Sequence, residues 1–278
     1  MQGHFTHCAA LVREADRDRY LAALFAPAEH RDALFALYAF DLEISRVRDL
    51  AREPMPGEIR LQWWREVLLG ERAGEAAANP VAAALLQVLA RYILSPSRLA
   101  ELVEAHRFDV YDEPMPSRAD LQIYAAKTAG VIFECGARIL GAATNLSEEA
   151  GQAQTLTDVL TLLPRHSARR QLFVPLEVLG QYGANPEDIF AMHPTRELRA
   201  ALAELRLRAR RHLARIGTGN AEIPAPAWPV FLSLAPLRSL LLTMERADYD
   251  PFRPPQAAPW RRQWQMWRAS RNPRRYFA

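Results

Sequence analysis

The chain has 278 residues, half of them hydrophobic and 24% charged, enough to bury a full core without a disulfide or metal to staple it. Only 12 glycines against 20 prolines exclude a collagenous, low-complexity or disordered chain. A formal charge of +3 is set locally, because the last 19 residues carry six arginines and no acid and leave the rest at −3.

Residues 1–13 contain His4, His7 and Arg13 and no apolar stretch, so they do not read as a secretory signal. Cys8 and Cys135 follow no ligand spacing, which argues against a disulfide framework or zinc ribbon and for a reducing, cytoplasmic compartment. Helical periodicity dominates and hairpin turns are missing, so the fold class is all-α. Residues 33–48 place Leu34, Leu37, Tyr38, Asp41, Ile44, Ser45 and Arg48 on one helical face. Residues 58–69 form a helix holding Trp63 and Trp64, one expected buried and the other half-buried. Residues 80–94 read as an alanine and leucine helix, and Ser95-Pro96 caps the next.

Two further helices are expected over 121–140, softly interrupted at Gly130 and Gly136, and over 147–163. Along 196–215, Leu198, Leu202, Leu205, Ala209 and Leu213 make an apolar stripe on a surface helix. Residues 217–229 read as a loop. The apolar stretch 229–244, broken by Pro236 and Arg238, falls short of the roughly 20 residues a spanning helix needs. A proline-rich segment at 250–255 separates a helical body, residues 1–250, from a basic aromatic tail, residues 251–278. In that tail Trp260, Trp264 and Trp267 share one helical face, with Arg261, Arg262 and Arg268 on its flanks. Such a segment suits an anionic membrane surface or a partner protein. Packing on the chain's own body is the plainer alternative. Nucleic-acid binding is a weaker third use, because no RNA or DNA module surrounds the patch, and no nucleic-acid partner is expected.

General catalytic signatures are missing, with no P-loop, GxGxxG, GxSxG, HExxH or EF-hand loop. What remains is a series of words in order: Arg31-Asp32-Ala33-Leu34-Phe35-Ala36-Leu37-Tyr38-Ala39-Phe40, Arg60-Leu61-Gln62-Trp63-Trp64-Arg65-Glu66, Asn79-Pro80-Val81-Ala82, Tyr124 with Thr128-Ala129-Gly130, Gly151 through Asp158, and Arg169-Arg170-Gln171-Leu172-Phe173-Val174-Pro175-Leu176. Together they resemble the squalene and phytoene synthase family. The resemblance implies a single-domain isoprenoid-synthase helical bundle around a central cavity. In active members two helices present Asp-x-x-x-Asp motifs that hold Mg²⁺ on the diphosphates of prenyl substrates. Carboxylates at i and i+4 can reach one hard cation together, and the metal neutralises the departing diphosphate.

The sequence departs from that pattern at the acids. Ser45 stands at the first aspartate position, and only Asp49 matches, so Asp49 alone is a weak metal candidate. In the second motif Asp158, Leu162 and His166 occupy the successive positions, and Pro164 is expected to end or kink the helix. Asp41, Glu43 and Asp158 are substitute candidates and Asp49 with Glu53 is a carboxylate pair at i and i+4, but Glu43 lies roughly 200° round the helix from Asp41, so they cannot all meet one ion. Asp109, Asp112 and Glu113 read as a solvated helix end. Tyr38, Asp41, Tyr124 and Thr128 are candidate cavity-lining residues, although Tyr124 also suits a core position. Arg169 and Arg170 are candidate anion contacts or helix C-terminal cations, and His166 a candidate base or a surface residue.

The loss of acids together with Thr161-Leu162-Leu163-Pro164-Arg165-His166 resembles one branch of the family, that of the mitochondrial complex I assembly factor and its α-proteobacterial relatives. That resemblance implies a catalytically degenerate protein acting in assembly of respiratory NADH dehydrogenase, with complex I subunits or assembly intermediates as partners. It would have no cofactor and would sit in the cytoplasm at the periphery of the inner membrane. The alternatives are an active Mg²⁺-dependent prenyltransferase and a module that binds an isoprenoid without chemistry.

Overall fold

A computed structural model describes residues 2–50, 53–111, 113–219, 222–255 and 257–277, and among these it contains helices and no strand. In chain order the helices are α1 (Gln2–Ala15), α2 (Arg17–Ala23), α3 (Ala28–Ser45), α4 (Val47–Leu50), α5 (Pro54–Leu68), α6 (Ala73–Ala76), α7 (Pro80–Tyr92), α8 (Pro96–Ala105), α9 (Arg107–Val110) and α10 (Arg118–Ala125). They continue with α11 (Val131–Ile139), α12 (Ser147–Thr161), α13 (Leu163–Ala168), α14 (Leu176–Tyr182), α15 (Pro186–Phe190), α16 (Arg196–Thr218), α17 (Trp228–Phe231), α18 (Ala235–Thr243), α19 (Pro259–Arg271) and α20 (Pro273–Phe277). Backbone contacts group them into two compact units. One comprises Met1–Tyr111, Val131–Ser147 and Ala221–Ser233, the other Asp112–Gly130, Glu148–Asn220 and Leu234–Ala278.

The first unit is organised on α3, which packs against α1, α7 and α11. Every residue from Ala33 to Leu42 is buried, so α3 is enclosed on all sides and its polar side chains must find partners inside the fold. Phe40 meets Trp64 of α5 edge to face at 5.1 Å, and Trp63, half-buried as expected, donates its indole N–H to Glu75 at 3.0 Å. Ser95 caps α8 and Pro96 occupies its first turn, as the sequence suggests. Asn79 caps α7 by accepting from the amides of Val81 and Ala82 at 2.9 and 3.0 Å. Cys8 and Cys135 are free thiols buried in α1 and α11. Burial, aided by Glu43 for Cys8 and Glu134 for Cys135, pushes both thiol pKa values up to about 12.

In the second unit α16 packs on α14, α18 and α20. Leu198, Leu202, Leu205, Ala209 and Leu213 are all buried there, which is the stripe the periodicity marks. The helix outruns its expected end and continues to Thr218, so the expected loop over 217–229 is shorter. Its far end is a 3₁₀ turn at Ala225–Ala227 leading into α17. Arg118 joins α10 to α16 through Glu204 at 2.7 Å. The helix expected from residue 121 begins at Arg118, capped by Ser117, and passes through a π-helical turn at Ala126–Gly130 where a soft break is expected.

Gly151 on α12 lies directly against that turn. A Cβ there would lie 2.4 Å from the backbone nitrogen of Gly130 and 2.6 Å from its Cα. Only a residue without a side chain lets the two backbones approach so closely. The apolar stretch is longer than Pro236 and Arg238 suggest, since Ala225–Thr243 reaches 19 residues. It satisfies a membrane span by length and composition, yet 67% of its apolar window is buried inside the fold, and it is assembled from 3₁₀ and α segments.

Candidate functional site

The first cluster of candidate residues lies in the first unit, around the C-terminal half of α3. Asp41 accepts from the guanidinium of Arg19, which is also 3.4 Å from Asp16 and 5.5 Å above the ring of Tyr38. Burial opposes the charge on Arg19, but Asp41 and Asp16 more than offset it and hold the guanidinium above its usual pKa. Burial also raises the pKa of Tyr38, so its phenol stays protonated. Tyr38 and Asp41 are therefore interior groups tied to Arg19. Glu43, a substitute acid by sequence, lies 3.6 Å from Arg60.

Ser45 sits exposed at the end of α3 and turns its hydroxyl back toward the carbonyl of Leu42 at 3.5 Å. Asp49 falls on the separate short helix α4, half-buried. The expected Asp49 and Glu53 pair does not share a helix, because α4 ends at Leu50 and Glu53 is the N-cap of α5. Asp109 is also not the solvated acid expected, since its carboxylate lies 2.6 Å from Nδ1 of the buried His106. Asp112 lies outside the described residues.

The second cluster lies in the second unit, on α12 and α13. Asp158 accepts from the side-chain amide of Gln154 at 2.9 and 3.0 Å. Further along, the hydroxyl of Thr161 donates to the carbonyl of Thr157 at 2.9 Å, and α12 ends there. Leu162 is the N-cap of α13, with Pro164 in the first turn of that helix. Pro164 thus breaks the helix at the position its ring chemistry predicts, and Leu162 is left 38% exposed.

His166 lies 4.6 Å from the ring of Phe173, which in turn tilts against Tyr124 at 5.9 Å. Thr128, buried in the π-helical turn, donates to the carbonyl of Tyr124 at 2.7 Å. Tyr124, Phe173 and His166 therefore form one aromatic row, and Phe173 is a member whose part in it no spacing in the sequence announces. Arg169 is the C-cap of α13. Arg170 pairs with Glu187 at 2.9 Å and covers the ring of Phe190 at 4.4 Å.

A diphosphate-bound Mg²⁺ of the kind the resemblance implies would draw one or two carboxylates from the protein and its other oxygens from phosphate and water. Among the described residues no three His, Cys, Asp or Glu side chains gather where they could hold a metal ion. At 158, 162 and 166 only Asp158 offers a carboxylate, and the helix that would align the three positions is interrupted at Leu162.

The tail forms α19 and α20, which pack on each other, with α19 also against α18 and α20 against α16. Met266 and Ala269 are buried in α19, and the side-chain amide of Gln265 donates to Ser239 at 2.7 Å. Trp260, Trp264 and Trp267 point the other way and are 64%, 51% and 51% exposed. Arg261 lies over Trp260. Arg262, expected on the flank, is half-buried on the inner side.

The family model described as squalene/phytoene synthase matches residues 12–268. A mouse protein named NADH dehydrogenase (ubiquinone) complex I, assembly factor 6 is 28% identical over 91% of this chain and 77% of its own length. The 15-cis-phytoene synthase of Synechococcus elongatus is 25% identical over 90% of this chain and 86% of its own. Among solved structures, a dehydrosqualene synthase in complex with a ligand superposes with a TM-score of 0.82 at 18% identity, covering 97% of this chain and 96% of the other. A squalene synthase from Alicyclobacillus acidocaldarius gives 0.76 at 24% identity over 90% and 96%. The all-α isoprenoid-synthase fold expected from the sequence is therefore the fold of this protein, and the chain belongs to the squalene/phytoene synthase family.

Proposed function

We propose that this protein serves the assembly of respiratory NADH dehydrogenase (complex I) and has lost prenyl transfer. The observation that carries this reading is the similarity, over 91% and 89% of this chain and 77% and 76% of the relatives' length, to mouse and human proteins named as complex I assembly factor 6. The residues at the motif positions support it, because Ser45, Leu162 and His166 replace acids and Asp41 is engaged by Arg19. Ionisation of a diphosphate needs its developing charge stabilised, commonly the greatest single contribution to catalysis, and these positions supply little of it. Its partners in this reading are complex I subunits or assembly intermediates, met in the cytoplasm beside the inner membrane.

Similarity to phytoene synthases favours the competing reading, an active Mg²⁺-dependent prenyltransferase, and one pair of measurements separates the two. Deleting the gene from its host should deplete assembled complex I on native gels, and the wild-type chain and Asp49→Ala should both restore it. Purified protein incubated with farnesyl or geranylgeranyl diphosphate and Mg²⁺ should release no diphosphate. Intact complex I in the deletion strain, or Mg²⁺-dependent formation of a condensed hydrocarbon, would overturn the proposal.

A further inference from the structure

The outer face of α19 combines features that a solvated helix face does not need. At 100° per residue, Trp260, Trp264, Trp267 and Arg271 fall within about 60° of one another, and Arg268 and Arg261 within about a further 60°. All three tryptophans are more than half exposed. Each is covered by an arginine, Arg261 over Trp260 at 5.2 Å, Arg268 over Trp264 at 4.7 Å and Arg271 over Trp267 at 5.9 Å. None of these three guanidinium groups pairs with a carboxylate among the described residues, and residues 251–278 contain no acid at all. The charge on this face is therefore uncompensated.

The helix is not a loose appendage. Met266 and Ala269 are buried, Gln265 bonds Ser239, and the following α20 is fixed by Tyr276 donating to the carbonyl of Ala235 at 3.0 Å. Arg238 donates to the carbonyl of Tyr276, also at 3.0 Å. The inner face thus satisfies the expectation that the tail packs on its own body, while the outer face remains displayed in a set orientation.

We infer that the outer face of α19 is a docking surface for an anionic lipid bilayer, with the helix lying in the plane of the headgroups. Tryptophan favours the boundary between headgroup and acyl chain, where its ring is apolar and its N–H can still be solvated. Arginines on the same arc meet anionic headgroups. Charge complementarity selects this occupant, since Arg261, Arg268 and Arg271 share the face while residues 251–278 hold no acid, which suits a surface of a single negative sign. The inference stands on α19 alone and does not depend on the role in complex I assembly.

The test is cosedimentation of the full chain with phosphatidylcholine vesicles, with and without phosphatidylglycerol. Binding is expected only with the anionic lipid and should weaken steeply with added salt. At about fivefold per charge, Arg261→Gln with Arg268→Gln and Arg271→Gln should lose about a hundredfold in affinity with an unchanged melting temperature. The matching arginine-to-lysine triple keeps the charge but not the planar guanidinium, so it should retain vesicle binding, whereas a protein interface built on stacked guanidinium groups would lose its affinity. Equal binding to neutral vesicles, no binding to either, or a folded glutamine triple that binds like wild type would overturn the inference. Failure on lipid with capture of a complex I assembly intermediate would assign the face to a protein partner.

Discussion

Arg19 and Asp41 form an ion pair with only 14% and 10% of their side chains exposed, joining α2 to the enclosed helix α3. The pair commits Asp41, one of the substitute acids, to structure. Removing one partner leaves the other charge poorly solvated, a loss of about 3 kcal/mol for buried pairs. Asp41→Asn and Arg19→Met should therefore each lower the urea midpoint strongly, while the double variant recovers part of the loss. Additive losses in the double-mutant cycle would contradict a direct coupling.

His106 gives the fold a dependence on pH. Burial opposes its protonation, but Asp109 and then Asp41 more than compensate, so its pKa lies above the ordinary histidine value. A raised folded-state pKa contributes stability that is complete below the unfolded value of about 6.5 and is lost as pH rises through the folded value. His106→Gln should cost most stability near pH 6, and the gap from wild type should narrow in alkaline buffer. Chemical denaturation across that range measures it, and a constant gap would contradict the protonated pair.

Gly151→Ala should be severe for its size. The added methyl would meet the backbone of Gly130, which cannot rotate aside, so a loss of about 3 kcal/mol or more is expected, at the upper end for overpacking. Gly136→Ala is the control. Its Cβ would stand 3.0 Å from a side-chain carbon of Val230, so the neighbour need give by only a few tenths of an ångström and no backbone is met, and the loss should be smaller. Thermal melts of the two variants decide the order.

Restoring acids should not restore chemistry. Ser45→Asp combined with Leu162→Asp and His166→Asp supplies carboxylates, but position 162 remains at the junction of α12 and α13 with Pro164 behind it. The i, i+4 arrangement brings two carboxylates to one ion through a continuous helix that sets them on one face. No diphosphate release from farnesyl diphosphate with Mg²⁺ is expected from this variant, as from wild type. Turnover by the triple variant would show that the helix break is tolerated.

The helices are legible in the sequence wherever burial follows a period. Leu198, Leu202, Leu205, Ala209 and Leu213 are buried together, and the interruption at Pro164 follows from a missing N–H. The ordered words from Arg31 to Leu176 also carry the family. Relationships between distant positions are not legible, because periodicity describes one element at a time. Arg19 and Asp41 are 22 residues apart, so nothing in either segment announces the pair. Asp109 looks solvated because its neighbours are charged, yet its partner His106 sits just before it on the inner side. The π-helical turn is hidden for a similar reason, since Gly130 looks like a weak spot until Gly151 is seen against it.

The two cysteines have a further use. With pKa values near 12, about one thiol in ten thousand is thiolate at pH 8, and neither is accessible while the fold is closed. Both belong to the first unit, one in α1 and the other in α11. Alkylation of either thiol therefore times the opening of that unit alone, so the native sequence already contains a clock for its fluctuations, and the second unit keeps none.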